Sequence, residues 1–595
     1  MKHYDRLSGK FISDDSISPL KGERITNESL LGNLDKYILS VAGWRTVFAQ
    51  SGNEDDFSSA VSDVDLVTSS ICSAAFFEYL GKENPRILVG ADARPTGTLL
   101  LDVVTRTFVS LGADVDNIFI SSAPEIMAYS NDGFDGFFYI SASHNPVGHN
   151  GLKFGRQGGV FGKKECDAVL TIFKKLLSSE DIIDRAIGWI EAVPMDKHRR
   201  VLLDHDLSKF RAMDYYMDFV LRTAGADSSF KIPFGIVAEL NGSARSSSID
   251  IPFLTRMGAK VWAVNAIPSQ IDHEIVPEGD NLELCRRVLE ERYSKDNDYI
   301  LGYVPDNDGD RGNFVYIDQE SRKARILHAQ DVFTLISLIE VAHQSYKGER
   351  NIAIAANGPT STRIDELASK FVATVFRADI GEANVVALAE NLRRSGYSVH
   401  VCGEGSNGGI ITEPAKVRDP MNSIMSIAKL YSVPGLFSYI CDRIGLQDRE
   451  SISLASLIKA IPRYITTSAF EREAVLRVRS RQFEPLKRVY EELFLLTLES
   501  HLSDKLNSYE VHQFEGYEEN VGFGSAYRDT SSAGGYKVIF FDKNGEFSAY
   551  LWLSKSKTEP VMRIMADVKG NDYMLYEELL SWQKHLVERA DSAIE

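Results

Sequence analysis

Two loops hold the residues most able to do chemistry. In "YILGYVPDNDGDRGNFVYID", strand-like runs bracket Asp306, Asp308 and Asp310, with Gly309 between the last two. In an extended loop alternate residues turn toward one point, and three carboxylates aimed together repel unless a cation sits among them. Oxygen ligands of this kind suit Mg2+ or Ca2+. An EF-hand is excluded, because its twelfth position needs a glutamate and here it is Ile317. The alternative is a solvated acidic turn. The flanking apolar runs, and Arg311 beside the carboxylates, pull against that alternative.

The second loop is "DGFDGFFYISASHNPVGHNGLKFG". Ser143 follows the apolar run "GFFYI", in a stretch rich in Gly, Ser and Asn. A serine in that place is either a turn residue or a nucleophile. His144 and Lys153 are close enough in sequence to carry protons or balance charge. The segment is not the GxSxG elbow of a hydrolase. Two further loops carry weaker signals. "HVCGEGSNGGIITEPAKVRDP" sets Glu404 and Ser406 among glycines, where a carboxylate and a hydroxyl suit sugar hydroxyls. "LSKSKTEPVMR" offers Ser556, Thr558, Lys555, Lys557 and backbone N–H groups, a plausible phosphate cradle and equally a plain surface loop.

The elements that position these loops follow from periodicity. "RILVGADARPTGTLLLDVVTRTFVSLGADV", "FGIVAELNGSARSSSIDIPFLTRMGAKVWAV" and "NIAIAANGPTSTRIDELASKFVATVFRADI" each run apolar, then small and polar, then helical in spacing, then apolar again. That is strand–loop–helix–strand three times over, as expected of three related α/β domains. The segment 471–507 reads as helical and highly charged, with Pro485 as a boundary or kink. Asn544-Gly545 between alternating runs predicts a hairpin, and "DYMLYEELLSWQKHLVERADSAIE" an amphipathic helix. A fourth, α+β domain is therefore expected at the C-terminal end. The first forty residues read as polar and irregular, an arm or a loose extension.

The bulk properties bound the function. A chain of 595 residues implies three to four domains, and 44% hydrophobic with 25% charged residues is ordinary globular composition. The formal net charge of −18 makes nucleic acid a poor partner. The five cysteines are scattered without a CxxC pair, as in a reducing compartment. The segment "MKHYDRLSGK" lacks the apolar core of a signal peptide, and no apolar run approaches the ~20 residues of a membrane span. A cytoplasmic protein without a membrane partner is the expectation.

Taken together, the loops resemble those of the α-D-phosphohexomutases, the family of phosphoglucomutase, phosphomannomutase and phosphoglucosamine mutase. "SASHNP" is similar to the family's TASHNP serine loop, "DNDGDR" to its DGDGDR metal loop, "GEGSNGG" to its sugar loop and "SKSKTEP" to its RxSGTEP phosphate loop. "VGADARPTG" resembles VGRDTRPSG, and "AGWR", with Arg45, the SGxRG element. The matches run in family order from about residue 41 to 567.

The resemblance implies a four-domain α/β architecture around a central cleft: three related mixed-sheet domains plus a C-terminal α+β domain. The boundaries expected are 1–40 for the extension, 41–200 for the serine-loop domain, 201–322 for the metal-loop domain, 323–468 for the sugar-loop domain and 469–595 for the last. It implies interconversion of hexose 1- and 6-phosphates through a phosphoserine and a 1,6-bisphosphate intermediate. Glucose phosphate leads as substrate, with mannose phosphate close behind and glucosamine phosphate as a further alternative. A non-catalytic sugar-phosphate-binding relative is the reading from another class. By resemblance Ser143 carries the phosphate, and Asp306, Asp308 and Asp310 hold Mg2+ with it. Lys153 moves a proton, while Arg45, His144 and Arg311 offset charge. Glu404 and Ser406 hold the sugar, and Ser556, Lys557 and Thr558 the non-reacting phosphate. Hexose 1,6-bisphosphate is the expected activator, and the expected state is a monomer or homodimer. Three positions depart from the pattern: Ser554 stands where an arginine is usual, Lys557 where Gly or Asn is common, and Asp379 where lysine is frequent.

Overall fold

The computed structural model describes residues 1–40, 43–446, 453–469, 471–480, 483–528, 534–555 and 561–594. It divides into two compact units. The first comprises residues 1–317, 322–326 and 415–422; the second comprises 318–321, 327–414 and 423–595.

The three repeats expected from the sequence fold alike. In the first, β1 (Arg86–Ala91) pairs in parallel with β2 (Asp114–Ile120) and β3 (Gly136–Ile140), and β4 (His149–Arg156) returns antiparallel to β3. In the second, β5 (Gly235–Glu239) pairs in parallel with β6 (Lys260–Val264) and β7 (Tyr299–Pro305), and β8 (Gly312–Asp318) returns antiparallel to β7. In the third, β9 (Ile352–Asn357) does the same with β10 (Thr374–Ala378), β11 (Ser398–Glu404) and β12 (Gly409–Thr412). A helix lies between the first two strands each time, because parallel neighbours require a crossover. β1, β5 and β9 are apolar and mostly buried along their length, as strands covered on both faces must be.

This topology decides where chemistry can occur. The third and fourth strands run antiparallel, so one tight loop joins them at the carboxyl end of a parallel strand. The serine, metal and sugar loops are the β3–β4, β7–β8 and β11–β12 connections. Each chemistry-bearing segment thus occupies the same station in its repeat, at the sheet end where α/β proteins bind ligands.

In the first unit the strand Gly43–Val47 adds antiparallel to β4 and brings Arg45 opposite Gly151. The first forty residues are folded rather than loose. Lys2–Tyr4 and Phe11–Asp14 form a hairpin, and Ile12, Leu30 and Tyr37 enter the first core. Their polar look comes from side chains buried in hydrogen-bonded pairs: His205 meets Asp5 at 2.9 Å, and His3 meets Asp15 at 3.2 Å.

In the second unit the C-terminal sheet is antiparallel, with the helices Phe483–Leu498 and Tyr573–Ala593 packed against each other. Phe494 stacks on Trp582 with ring centroids 5.2 Å apart. The Asn544-Gly545 hairpin joins Tyr536–Phe541 to Phe547–Lys555 as its sequence predicts. The helical stretch is shorter than expected, since Val475–Arg477 is a strand. Pro485 lies in the first turn of Phe483–Leu498, where no intrahelical N–H bond is needed, and neither kinks nor bounds the helix internally.

Candidate active site

Ser143 sits just past the end of β3, 3% exposed, with φ at 54°. Left-handed backbone at a residue other than glycine costs roughly 1–2 kcal/mol and persists only where the surroundings enforce it. Its N–H donates to Ser141 Oγ at 2.9 Å, and its own hydroxyl donates to Asp306 Oδ2 at 3.2 Å. The serine and metal loops therefore meet inside the first unit.

The metal loop converges as the alternation of its carboxylates predicts. One carboxylate oxygen each from Asp306, Asp308 and Asp310 lies within 4.8 Å of the others, and all three residues are buried. Gly309 makes the turn at φ +68°, and a Cβ there would lie 2.6 Å from Arg245 Cγ, so only glycine fits. Arg245, fully buried, donates from Nε (2.9 Å) and Nη2 (2.7 Å) to the Gly309 carbonyl. Asp419 and the Tyr216 hydroxyl hold that guanidinium from behind at 2.6 and 2.9 Å.

Charge around the triad is mixed. Lys153 Nζ donates to Asp308 Oδ2 at 2.7 Å, and Ser141 Oγ donates to the same oxygen at 2.9 Å. Arg418 donates to Asp310 Oδ2 at 2.6 Å. Burial pushes the Asp308 carboxyl up, but Lys153, Ser141 and Arg418 outweigh it and hold it well below the carboxylate range. Asp306 goes the other way: burial, then Asp308 and Asp310, push it well above that range. Asp308 Oδ1 and Asp310 Oδ1 are buried and accept no hydrogen bond from the described residues. Buried carboxylate oxygens without donors, clustered in an all-oxygen set, fit a hard divalent cation such as Mg2+.

Arg45 and Arg311 complete the cationic rim. Burial pulls the Arg45 guanidinium down to about 10, with Asp308 opposing that and Arg311 and Arg94 adding to it. Arg45 Nη1 donates to Asn145 Oδ1 at 3.2 Å. Arg311 Nη1 lies 3.0 Å from His144 Nδ1. A guanidinium only donates, so Nδ1 accepts and the imidazole proton resides on Nε2. Burial, then Arg311, Arg45 and Arg418, hold His144 well below the usual histidine range, so it is neutral near pH 7.

The sugar loop belongs to the second unit. Glu404 ends β11, and Ser406 lies in the middle of the short turn Gly405–Asn407 that follows; they are 4% and 5% exposed. Glu404 Oε1 accepts from Gly381 N–H (2.7 Å) and Asn357 Nδ2 (3.2 Å), and Oε2 accepts from Asn407 Nδ2 (3.0 Å). Asn357 also reaches Ser406 Oγ at 3.0 Å, which ties the carboxylate and hydroxyl into one network. Ser556, Lys557 and Thr558 lie outside the described residues. Ser554 is 1% exposed and accepts from Trp552 Nε1 at 3.0 Å, so it fills a core position. Asp379 accepts from Gly535 N–H at 3.1 Å and is 3% exposed.

The structure brings together Ser143, His144, Lys153, Arg45, Arg311, Asp306, Asp308 and Asp310. Sequence reasoning missed Ser141 and Arg418. Ser141 lies in the serine loop two residues before Ser143, where nothing local marks its partner Asp308, and Arg418 arrives from a segment 108 residues beyond its partner Asp310.

Comparison with known proteins agrees with this geometry. The family model "Phosphoglucomutase/phosphomannomutase, alpha/beta/alpha domain I" matches residues 50–180, and that for domain III matches 331–444. The chain belongs to the α-D-phosphohexomutase family. This is a family of isomerases that act by phosphoryl transfer. Among the family's relatives, a phosphoglucomutase/phosphomannomutase of Thermococcus kodakarensis is 29% identical over 369 residues, 61% of this chain and 72% of that protein. A phosphoglucosamine mutase of Methanocaldococcus jannaschii is 26% identical and is matched over 62% of its own length, less than two thirds. A phosphoglucosamine/phosphogalactosamine mutase of Sulfurisphaera tokodaii is 23% identical over 87% of this chain and 94% of its own. In fold, the chain is similar to a phosphoglucomutase/phosphomannomutase family protein of Burkholderia thailandensis, with TM-score 0.59, 13% identity and coverage of 93% of this chain and 97% of that one. It is similar likewise to parafusin of Paramecium, with TM-score 0.59, 14% identity and coverage of 92% and 94%.

Proposed function

We propose that this protein interconverts hexose 1-phosphates and hexose 6-phosphates, with Ser143 as the phosphoryl carrier and glucose phosphate as the leading substrate. The observation that carries the reading is the Ser143 hydroxyl at 3.2 Å from Asp306, inside the buried aspartate triad, with Lys153 on Asp308. A turn serine has no reason to face three carboxylates in the interior. A phosphoryl carrier does, because those carboxylates would hold a divalent ion that supplies positive charge to its phosphate.

Phosphoryl transfer asks mainly for position and for charge complementary to the phosphoryl oxygens. In the proposed cycle the Oγ–P bond of phospho-Ser143 breaks and a P–O bond forms to the free sugar hydroxyl. The hydroxyl proton ends on Ser143 Oγ, with Lys153 Nζ as its carrier. The reverse step, from the other phosphate of the same sugar, returns the phosphoryl group to Ser143. Asp306, Asp308 and Asp310 would hold Mg2+, which when bound supplies positive charge to the phosphoryl group. Arg45, Arg311 and Arg418 add further cationic charge, and neutral His144 adds none. Glu404 and Ser406 present a carboxylate and a hydroxyl for sugar hydroxyls, a set that suits a hexose bound in either orientation. Ser556, Lys557 and Thr558 are the proposed phosphate-gripping residues by resemblance alone.

A second reading, phosphoglucosamine mutase, draws support from the relative matched over nearly its whole length. The deciding experiment assays glucose, mannose and glucosamine 1-phosphates side by side, with and without the matching 1,6-bisphosphate. The highest kcat/KM is expected for glucose 1-phosphate, with stimulation by the bisphosphate. Turnover of glucosamine 1-phosphate alone would replace the substrate assignment, and turnover of none would sink the mutase reading.

A further inference from the structure

Arg94 lies three residues past the end of β1, two after Asp92. Its side chain is fully buried, yet its donors go neither to the Ser143 hydroxyl nor to the aspartate triad. They go to the backbone of the serine loop. Nη2 donates to the carbonyls of Ser143 (2.6 Å) and Asn145 (2.7 Å), and Nη1 to that of Pro146 (2.7 Å). Nε donates to Asp92 Oδ2 at 3.2 Å, and that carboxylate is equally buried. The pair therefore enters the interior without net charge, with its donors matched to acceptors. Asp92 N–H in turn donates to the carbonyl of Ile140, the last residue of β3, at 2.9 Å. The clamp is anchored to the strand from which the serine loop springs.

The loop needs such a device. Ser143 is held in left-handed backbone that relaxes unless something enforces it. A glycine would adopt that conformation freely, but a glycine has no hydroxyl to carry phosphate. Three carbonyls within four residues converge on one planar fork, a pattern that a guanidinium meets and a single ammonium point charge does not. The geometry points to Arg94 as a positioning residue: it fixes the backbone of Ser143–Pro146 and so aims the Ser143 hydroxyl. This rests on the reading of Ser143 as the phosphoryl carrier.

The test is Arg94→Lys in the full-length protein. The ammonium keeps a positive charge beside Asp92 and gives up most of the carbonyl grip. The expected result is a kcat about 100-fold lower with KM within about twofold, the size of effect that a misplacement near 1 Å produces. Amide hydrogen exchange of residues 141–149 should accelerate about tenfold or more while the rest of the first unit keeps its protection. A merely structural role would lower the yield of folded protein and leave kcat per folded molecule unchanged; that result, with unchanged loop exchange, overturns the proposal. Should Arg94→Lys not fold, the paired variant Asp92→Asn with Arg94→Gln removes both charges together and is held to the same two readouts. If the parent protein never carries phosphate on Ser143, the functional reading fails separately. Loop exchange then decides the clamp alone: faster exchange in the variant supports it, and equal exchange overturns it.

Discussion

Lys153→Met removes one ammonium from a buried site and leaves most of the stem in place. Lys153 Nζ sits 2.7 Å from Asp308 Oδ2, with side-chain exposures of 8% and 0%. At an effective dielectric near 20, a pair at that distance attracts by about 6 kcal/mol before desolvation is charged against it. Deleting one partner of such a pair typically costs about 3–5 kcal/mol, because the remaining charge stays buried without compensation. Among the described residues, Asp308 would keep only the Ser141 hydroxyl on that oxygen. Two readouts follow. Without divalent cation, the first unit should unfold about 3–5 kcal/mol more easily than in the parent. Saturating Mg2+ should stabilise the variant more than the parent, because the ion replaces the missing positive charge beside the carboxylates. Mutase turnover should fall by about 10²–10⁴ even with Mg2+ present, the usual worth of a proton carrier. Thermal unfolding with and without Mg2+, alongside a coupled mutase assay, measures both. A variant as stable as the parent without metal, or one that keeps turnover within a factor of ten, would refute the role given to Lys153.

Glu404→Gln puts an amide where Gly381 N–H, Asn357 and Asn407 all donate, so kcat/KM for hexose phosphate should fall about 100-fold while Ser143 stays phosphorylated in the resting protein; steady-state kinetics and intact mass check the two halves. Gly309→Ala meets both positive φ and the Arg245 side chain, and should abolish Mg2+-dependent stabilisation in thermal unfolding. Lys537 is 1% exposed, donates to the Gly358 carbonyl at 2.9 Å, and is pulled by burial, then Arg377, from 10.5 down to about 7. Between those values the unfolded chain binds more protons than the folded one, so this lysine's penalty is full below pH 7 and is relieved as pH rises. Lys537→Met should therefore raise the thermal midpoint at pH 7 and remove a stability gain of up to about 1.4 kcal/mol per pH unit above it.

How far the sequence leads differs residue by residue. Asp306, Asp308 and Asp310 were legible because ligands two apart on one loop converge by local geometry alone. Ser143 was legible as a candidate, but its contact with Asp306 depends on a second repeat folded more than 150 residues downstream. Arg418 carries no local signal, since its partner Asp310 is chosen by the packing of 415–422 into the first unit. Polarity misled at the N-terminal end: Asp5, Asp15, His3 and Ser13 look solvated in sequence and are buried as pairs in the fold. Length misled in the last domain, where a charged stretch of helical period contains the strand Val475–Arg477. The repeats read correctly because strand–helix–strand periodicity is local; that all three chemistry loops occupy one station is a property of topology.

The most direct test of the account is where a phosphoryl group resides. Purified protein incubated with glucose 1,6-bisphosphate and Mg2+ should gain one phosphate by intact mass, mapped by peptide sequencing to Ser143. Addition of glucose 1-phosphate should discharge that phosphate into hexose bisphosphate, and Ser143→Ala should neither gain nor transfer it. Phosphate found solely at another residue, or full mutase turnover by Ser143→Ala, would contradict the account.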